Sequence, residues 1–415
     1  MMDIKKSILF VLAGLLCHMV SFAKTWEVRK EGPLSSIQKA VDQASAGDTI
    51  LVYSGLYREK TIQVNKKLYL KGVGYPTVDG ERKYEIFLLT ANGIVLEGFS
   101  VIHGGYSSFN DIAAIRISNA SFVTVKNNRL FDTFFGIYSS HSDNCIIIGN
   151  QLRSKAKDEI NSANGIHCWR SDRMRIQNND ISGHRDGIYF EFVTNSTIQS
   201  NNSHNNVRYG LHFMFSHNNG YYKNIFRNNG AGVAVMYSHG VTMIGNTFSD
   251  NWGGAAYGIL LKEISDSHIE GNSFLRNTSG IHMEGTNRIK VIRNKFLNNG
   301  WALQVQASCN DNSINENNFI ANTFDVATNG SLVLNNFDGN YWDKYDGYDL
   351  DRNRIGDIPY RPVSLYSMIV ERNPTVMMLF RSFMVSLLDK AEKVIPGMTP
   401  IDLYDSKPHM KPLQL

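Results

Sequence analysis

The chain has 415 residues, of which 42% are hydrophobic and 19% charged, with Lys+Arg 42 against Asp+Glu 38 and a formal net charge of +4. That apolar content is enough for a continuous core and too high for a disordered chain. The charge balance is too mild, and too free of like-charge runs, for a nucleic-acid-binding face.

Lys5 and Lys6, the apolar run Ile8 to Leu16 and the small-x-small triplet Ser21-Phe22-Ala23 read as a signal peptide over 1–23, cleaved after Ala23. The apolar run is too short for a membrane span. Cys17 follows Leu15 and Leu16, where a lipidation site needs small residues. Export would leave Cys145, Cys168 and Cys309, an odd number with no C-x-x-C pair, so at least one thiol stays free.

Ser35 with Gln38 reads as a capping box, followed at helical spacing by Ile37, Ala40, Val41 and Ala44. Gly47-Asp48 then turns into a strand over Thr49–Tyr53. A short amphipathic helix of this kind suits the open end of a solenoid, whose core it would cover.

From there the chain repeats itself. Asn, any residue, then a large apolar residue recurs at Asn128, Asn150, Asn179, Asn224, Asn246, Asn272, Asn294 and Asn317, with Asn202 keeping the phase, about every 22 residues. Longer steps mark insertions near Lys155–Asn164 and Trp252–Ala256. At the same period Gly precedes a branched aliphatic residue, from Gly136-Ile137 through Gly187-Ile188 and Gly232-Val233 to Gly280-Ile281, with Ala302-Leu303 closing the series. Positions one and three past the Gly are apolar, the period of two that places both inward on a strand. Asn tolerates left-handed corners and forms ladders when stacked. Together these patterns predict an all-β, right-handed, single-stranded parallel β-helix over 24–337, with the capping helix before it and a loop-helix-tail extension over 338–415.

Positions two and four past each Gly should face out. They carry His167, His212 and His282, with Met214 and Met236 one coil apart. Thioether and imidazole are ligands suited to Cu(I), so His212, Met214, Met236, His167 and His282 are the candidate metal residues. His217 and His239 should stack at the next corner. The rival reading is a carbohydrate-active lyase, hydrolase or epimerase on acidic polysaccharide, centred on Asp186 beside His184 and Arg185. Glu191 and Glu284 are too many coils apart to pair as glycosidase carboxylates.

In the extension, Asp349, Asp351 and Asn353 resemble the start of a Ca²⁺ loop, although Arg354 stands where Gly would be needed. Asn373 caps a predicted helix with Pro374 at its first position, running over 374–395 to just before Pro396. It carries Met377, Phe380, Phe383, Met384 and Leu387, which with Pro374 form a candidate docking face; covering the last coil is the alternative. The tail after Gly397, with Met398, His409 and Met410, reads as extended and able to wrap a partner.

The aromatic-acidic run Asn340 to Asp349, the segment Arg361 to Tyr366 and the Asn373-Pro374 helix resemble nitrous-oxide reductase maturation proteins of the NosD type. The likeness covers nearly the whole mature chain and is specific from Asn340 to Pro396. It implies a periplasmic, non-catalytic accessory protein, peripheral to the membrane on an ABC-transporter permease and its ATPase. The implied partners are a copper chaperone lipoprotein and nitrous-oxide reductase, whose copper centres are assembled; no nucleic acid is involved. The resemblance fixes no copper ligand, so the five candidates above rest on register alone.

Overall fold

A computed structural model describes residues 23–107, 111–155, 158–160, 162–330, 334–395 and 403–415. The expected signal peptide therefore lies outside the described residues, Ala23 excepted. The described chain winds into a right-handed parallel β-solenoid of about 13 turns. Its strands form three parallel sheets of 14, 12 and 13 strands, one strand per coil in each sheet.

The Gly period has a steric cause. Each Gly stands on the 12-stranded sheet beneath the Gly of the next coil. A Cβ on Gly136, Gly232 or Gly280 would meet the next coil's carbonyl oxygen at 2.5 Å. From Gly136 to Gly280 the column therefore excludes a side chain, and Ala302 follows with the smallest one. Past the Gly, Ile188 and Phe190, Val233 and Val235, and Ile281 and Met283 all point inward with no exposed surface.

The Asn period builds a buried polar ladder. From Asn128 to Asn340, each Asn Nδ2 donates to the Oδ1 of the Asn one coil on, at 2.9–3.1 Å. Each buried amide is thereby satisfied by its neighbour, which a low-dielectric interior requires. Asn202 does not belong to this ladder; Asn201 does, and Ser203, two residues past it, takes the inward place. The Asn-Asn doublet hid that one-residue shift. From Asn224 on, the residues two past the Asn stack as rings: Phe226, Phe248, Phe274, Phe296, Phe319 and Trp342 follow one another at centroid spacings of 4.1–5.5 Å. A second ladder, Asn277 to Asn299 to Asn322 at 3.0–3.1 Å, supports the opposite corner.

Helix α1 (Ile37–Gln43) covers the first coils, with Ile37, Ala40 and Val41 buried. Its cap differs from the expected Ser35/Gln38 box. Ser36 is the N-cap, and Glu59 from the following coil accepts from the Ile37 and Gln38 backbone N–H groups at 2.7 and 3.0 Å. Gln38 instead pairs with Asp42 and with the Gln63 backbone, so the box gives way to a tertiary carboxylate.

At the far end the solenoid runs past the expected boundary at 337, through the strand Tyr341–Trp342. The single helix expected over 374–395 is replaced by two short elements, and a further helix precedes them. In chain order these are α2 (Leu365–Arg372), then a 3₁₀ turn over Pro374–Leu379 and α3 (Phe383–Val394). Arg381 adopts a left-handed φ of 62° and Ser382 caps α3 by accepting from Val385 N–H, so the chain bends where the apolar pattern alone read as continuous. Tyr366 and Val370 of α2 and Val385 of α3 close over Phe324 in the last coil. The tail does not stand free for a partner. Asp405 and His409 bridge to Phe337 and Tyr341, and Leu413 exchanges two hydrogen bonds with the Asn318 side chain at 2.8 and 2.9 Å. Gly397 and Met398 lie outside the described residues. No described helix is long and apolar enough to cross a membrane.

Candidate functional site

The outer face of the 12-stranded sheet carries the candidate strip. Register pairs Tyr138 with His167, His167 with Tyr189 and Tyr189 with His212. Their rings follow each other at 4.5, 4.7 and 4.8 Å. Although they point away from the core, His167 and His212 are only 7% and 6% exposed. The insertion before Gly165 supplies part of the cover: Ala163 packs with Phe135 and Tyr138, and Asn164 Nδ2 lies 3.2 Å from His167 Nδ1. Burial pushes His167 down to about 3, and Arg185 nearby adds to it, so its imidazole is neutral at neutral pH.

Asp186 sits one residue before Gly187 with no exposed surface. Both its oxygens are taken by Arg208, with Nε to Oδ1 at 2.9 Å and Nη2 to Oδ2 at 2.6 Å. Burial alone would raise this carboxyl, but Arg208, with His212 beside it at 3.5 Å, holds it at about 2. A sealed, doubly bonded carboxylate is poorly placed to exchange a proton with a saccharide.

Two coils carry the thioethers. Met214 and Met236 are register partners on adjacent strands, about 4.8 Å apart, and both are half-buried. His212 precedes Met214 by two residues, but its ring lies among Tyr189, Tyr209 and Asp186. His282 lies three coils further on, after Ala234 and Leu260, with Nδ1 3.3 Å from Gln304 Oε1. His167 lies two coils before His212. The structure thus sets Met214 beside Met236, turns the His212 ring toward Tyr189, Tyr209 and Asp186, and leaves His167 and His282 on other coils. Among the described residues no three His, Cys, Asp or Glu side chains are grouped to hold a metal ion, so a soft site here depends on the thioethers.

Beside the Met pair runs a feature not singled out from the sequence. Phe192, Phe215 and Tyr237 stack at 5.3 and 5.0 Å, each 38–44% exposed and each at a left-handed φ of 49–54°. Asn or Gly is the easier choice at such a corner. Each is the residue after an outward position, so the alignment that gave Met214 and Met236 contains the signal. Next to them His217 and His239 stack with centroids 4.1 Å apart, and His239 N–H donates to His217 Nδ1 at 3.3 Å.

Cys145, Cys168 and Cys309 are free and buried, and burial pushes the Cys145 thiol up to about 11, which keeps it protonated at neutral pH. In the Ca²⁺-like loop, Asp349 accepts from the Asn353 and Arg354 backbone at 3.1 and 2.8 Å, and Asp351 accepts from Asn353 Nδ2 at 2.9 Å. These carboxylates already hold the loop as turn acceptors.

The candidate docking residues lie on two elements, the 3₁₀ turn with its C-terminal cap Phe380 and α3. Pro374, Met377, Phe380, Phe383, Met384 and Leu387 are all exposed, Phe383 by 82% and Met384 by 65%. Between α2 and α3 an apolar cavity of about 310 Å³ opens among Ile369, Leu379, Met384 and Leu387.

A family model described as "Periplasmic copper-binding protein (NosD)" matches residues 152–347. A "Probable ABC transporter binding protein NosD" of Stutzerimonas stutzeri is 28% identical over 78% of this chain and 78% of its own length. The like-named protein of Pseudomonas aeruginosa is 27% identical over 84% and 85%. Among solved structures, a surface adhesin of Streptococcus pneumoniae, PfbA, superposes with a TM-score of 0.57 at 13% identity, covering 71% of this chain and 87% of its own. The catalytic domain of a GH87 α-1,3-glucanase in complex with nigerose reaches 0.62 at 13% identity, covering 77% and 69%. At such identities the likeness is one of fold alone.

Proposed function

We propose that this chain, a NosD-type protein, is a periplasmic, non-catalytic scaffold that passes Cu(I) toward the copper centres of nitrous-oxide reductase while standing on the permease of an ABC transporter. Copper is cargo in this reading. The observation that carries it is the register pairing of Met214 with Met236 on a partly open face, two residues from His212. Two thioethers on adjacent rungs hold a soft monovalent ion loosely enough to release it. The names borne by the relatives and the family description, a copper-binding and transporter-binding protein, support the same assignment.

A non-catalytic role is supported by Asp186, whose engagement by Arg208 removes the strip's best acid-base candidate. The exposed surface of Met377, Phe380, Phe383, Met384 and Leu387 is the docking face for the membrane permease, whose ATPase drives the cycle from the other side. The stacked Asn and Phe ladders make the solenoid a rigid post. From it a copper chaperone lipoprotein and the reductase are held at set heights. Ca²⁺ at Asp349, Asp351 and Asn353 steadies their loop.

The test is Cu(I) affinity of the mature protein by competition with a chromophoric chelator. Wild type should bind, and a variant with His212, Met214 and Met236 changed to Ala should lose at least tenfold in affinity. Equal affinity in the variant would remove the strip from copper handling.

A further inference from the structure

The Gly column of the 12-stranded sheet ends on a carboxylate. Register places Asp325 on the coil after Ala302, which follows Gly280. In the coils from Gly136 to Gly280, a Cβ at this place would run into the next coil's backbone, and Ala302 carries only a methyl group there. The last coil has no successor, so the Asp325 side chain enters the space a further coil would fill. It is 2% exposed there. Lys344 Nζ lies 3.3 Å from Oδ2 and the Tyr360 hydroxyl donates to the same oxygen at 3.4 Å, while Oδ1 has no hydrogen-bond partner among the described residues.

Asp325 forms the floor of a cleft of about 1210 Å³ between the last coil and the C-terminal extension. Leaving a buried carboxylate oxygen unmatched is costly. Lys344 compensates only in part, since its Nζ also donates to the Thr323 carbonyl at 3.1 Å. Burial drives the Asp325 carboxyl up to about 6 despite Lys344, and Asp343 nearby pushes the same way.

We propose that this cleft is a binding site for a basic side chain, a guanidinium or a primary ammonium, carried by a partner segment and anchored on Asp325 Oδ1. A divalent metal ion is the poorer occupant, because the described residues offer no cluster of three ligands. A basic side chain needs one carboxylate and a few neutral acceptors, such as the Thr323 carbonyl. The apolar stem of Lys or Arg suits the walls formed by Phe324, Pro359 and Phe380. Lys344, 42% exposed, can swing aside.

The partner is set by continuity. Phe380, Arg381 and Val385 line the cleft and belong to the same 3₁₀-turn and helix segment that presents Phe383 and Leu387. Whatever covers that apolar face lies at the cleft mouth and can send a basic residue in. The identity of the partner thus rests on the docking reading given above; the cation site does not.

The experiment uses the mature chain with butylguanidinium and butylammonium as probes and butylurea as the neutral control, read by calorimetry. Saturable binding of a cationic probe, absent for butylurea and at least tenfold weaker in Asp325→Asn, is expected. No saturable binding, or equal binding by Asp325→Asn, overturns the site. Asp325→Asn is isosteric and removes a buried charge, so it should fold; its melting curve checks this. The Phe383→Asp/Leu387→Asp variant should bind the probes as wild type does and lose the transporter, and unchanged transporter binding by this variant would overturn the docking reading alone. Transporter affinity should also fall at least tenfold in Asp325→Asn; unchanged affinity there, with the probe still binding wild type, would overturn the assignment of the cation to that partner.

Discussion

The side-chain amide of Asn340 donates to Asp405 Oδ2 at 3.0 Å, so the polar ladder ends on a carboxylate contributed by the tail. The same oxygen accepts from Asn340 N–H at 2.9 Å and Trp342 Nε1 at 3.0 Å, and Oδ1 accepts from Gly339 N–H at 3.0 Å. One buried acceptor group therefore closes the ladder and fixes the last ring of the aromatic stack. Asp405→Ala strands several buried donors and should cost on the order of 2–4 kcal/mol. Asp405→Asn keeps an acceptor and should cost about 1. Hydrogen exchange checks the location, because protection should fall first at Asn340 and Trp342 and remain near Asn224.

Gly232→Ala should destabilise by about 1–3 kcal/mol, since its Cβ would lie 2.5 Å from the Gly258 carbonyl oxygen. Gly254→Ala is the control, with no atom within 4 Å of the added methyl. Equal denaturation midpoints for the two variants would refute the steric account of the column.

The pH dependence of stability isolates Asp325. Its folded pKa, about 6, lies above its ordinary value of 3.8. The unfolded chain therefore releases the proton first. This group's contribution is intact below pH 4 and is lost as pH rises toward 6, on the order of 3 kcal/mol in all. His167 and His184 slope the other way. Burial holds them at about 3 and about 4, so their stabilisation is present above their unfolded pKa and falls away in acid. The informative quantity is the difference from Asp325→Asn. That variant should be more stable than wild type at pH 7 and should lose this advantage by pH 4. A constant difference across the range would contradict the assignment.

Two phenylalanines should respond oppositely to truncation. Phe274→Ala opens a hole between Phe248 and Phe296 in the buried stack and should cost about 3–5 kcal/mol. Phe383→Ala, at a site 82% exposed, should change stability by less than about 0.5 kcal/mol. Chemical denaturation of both variants decides it. A large loss at Phe383 would make that surface part of the fold and leave less of it for docking.

Periodic features were legible because each coil imposes the same requirement on the chain. Asn224 and Asn246, Gly232 and Gly258, and Phe274 and Phe296 occupy equivalent places, so spacing alone reveals the coil and its inward faces. The outward places of Met214 and Met236 followed from the same alternation. What interrupted the period was read less well. At Asn201-Asn202 two like residues left the phase ambiguous by one, and only the ladder's hydrogen bonds chose Asn201. Near Arg381 the apolar spacing continued while the backbone turned.

The sequence by itself determined the solenoid, the columns that fill it and which strand positions face outward, because these follow from local alternation repeated at one period. Tertiary structure alone decided how open those outward positions are and what they meet. His167 and His212 face out yet are buried, because an insertion and the Asp186–Arg208 pair close over them. Asp325 became a buried anion only because the coils stop there, and Asp405 closes a ladder 65 residues away in sequence. Burial and charge compensation depend on chain segments distant in sequence, and spacing within the repeat carries no record of them.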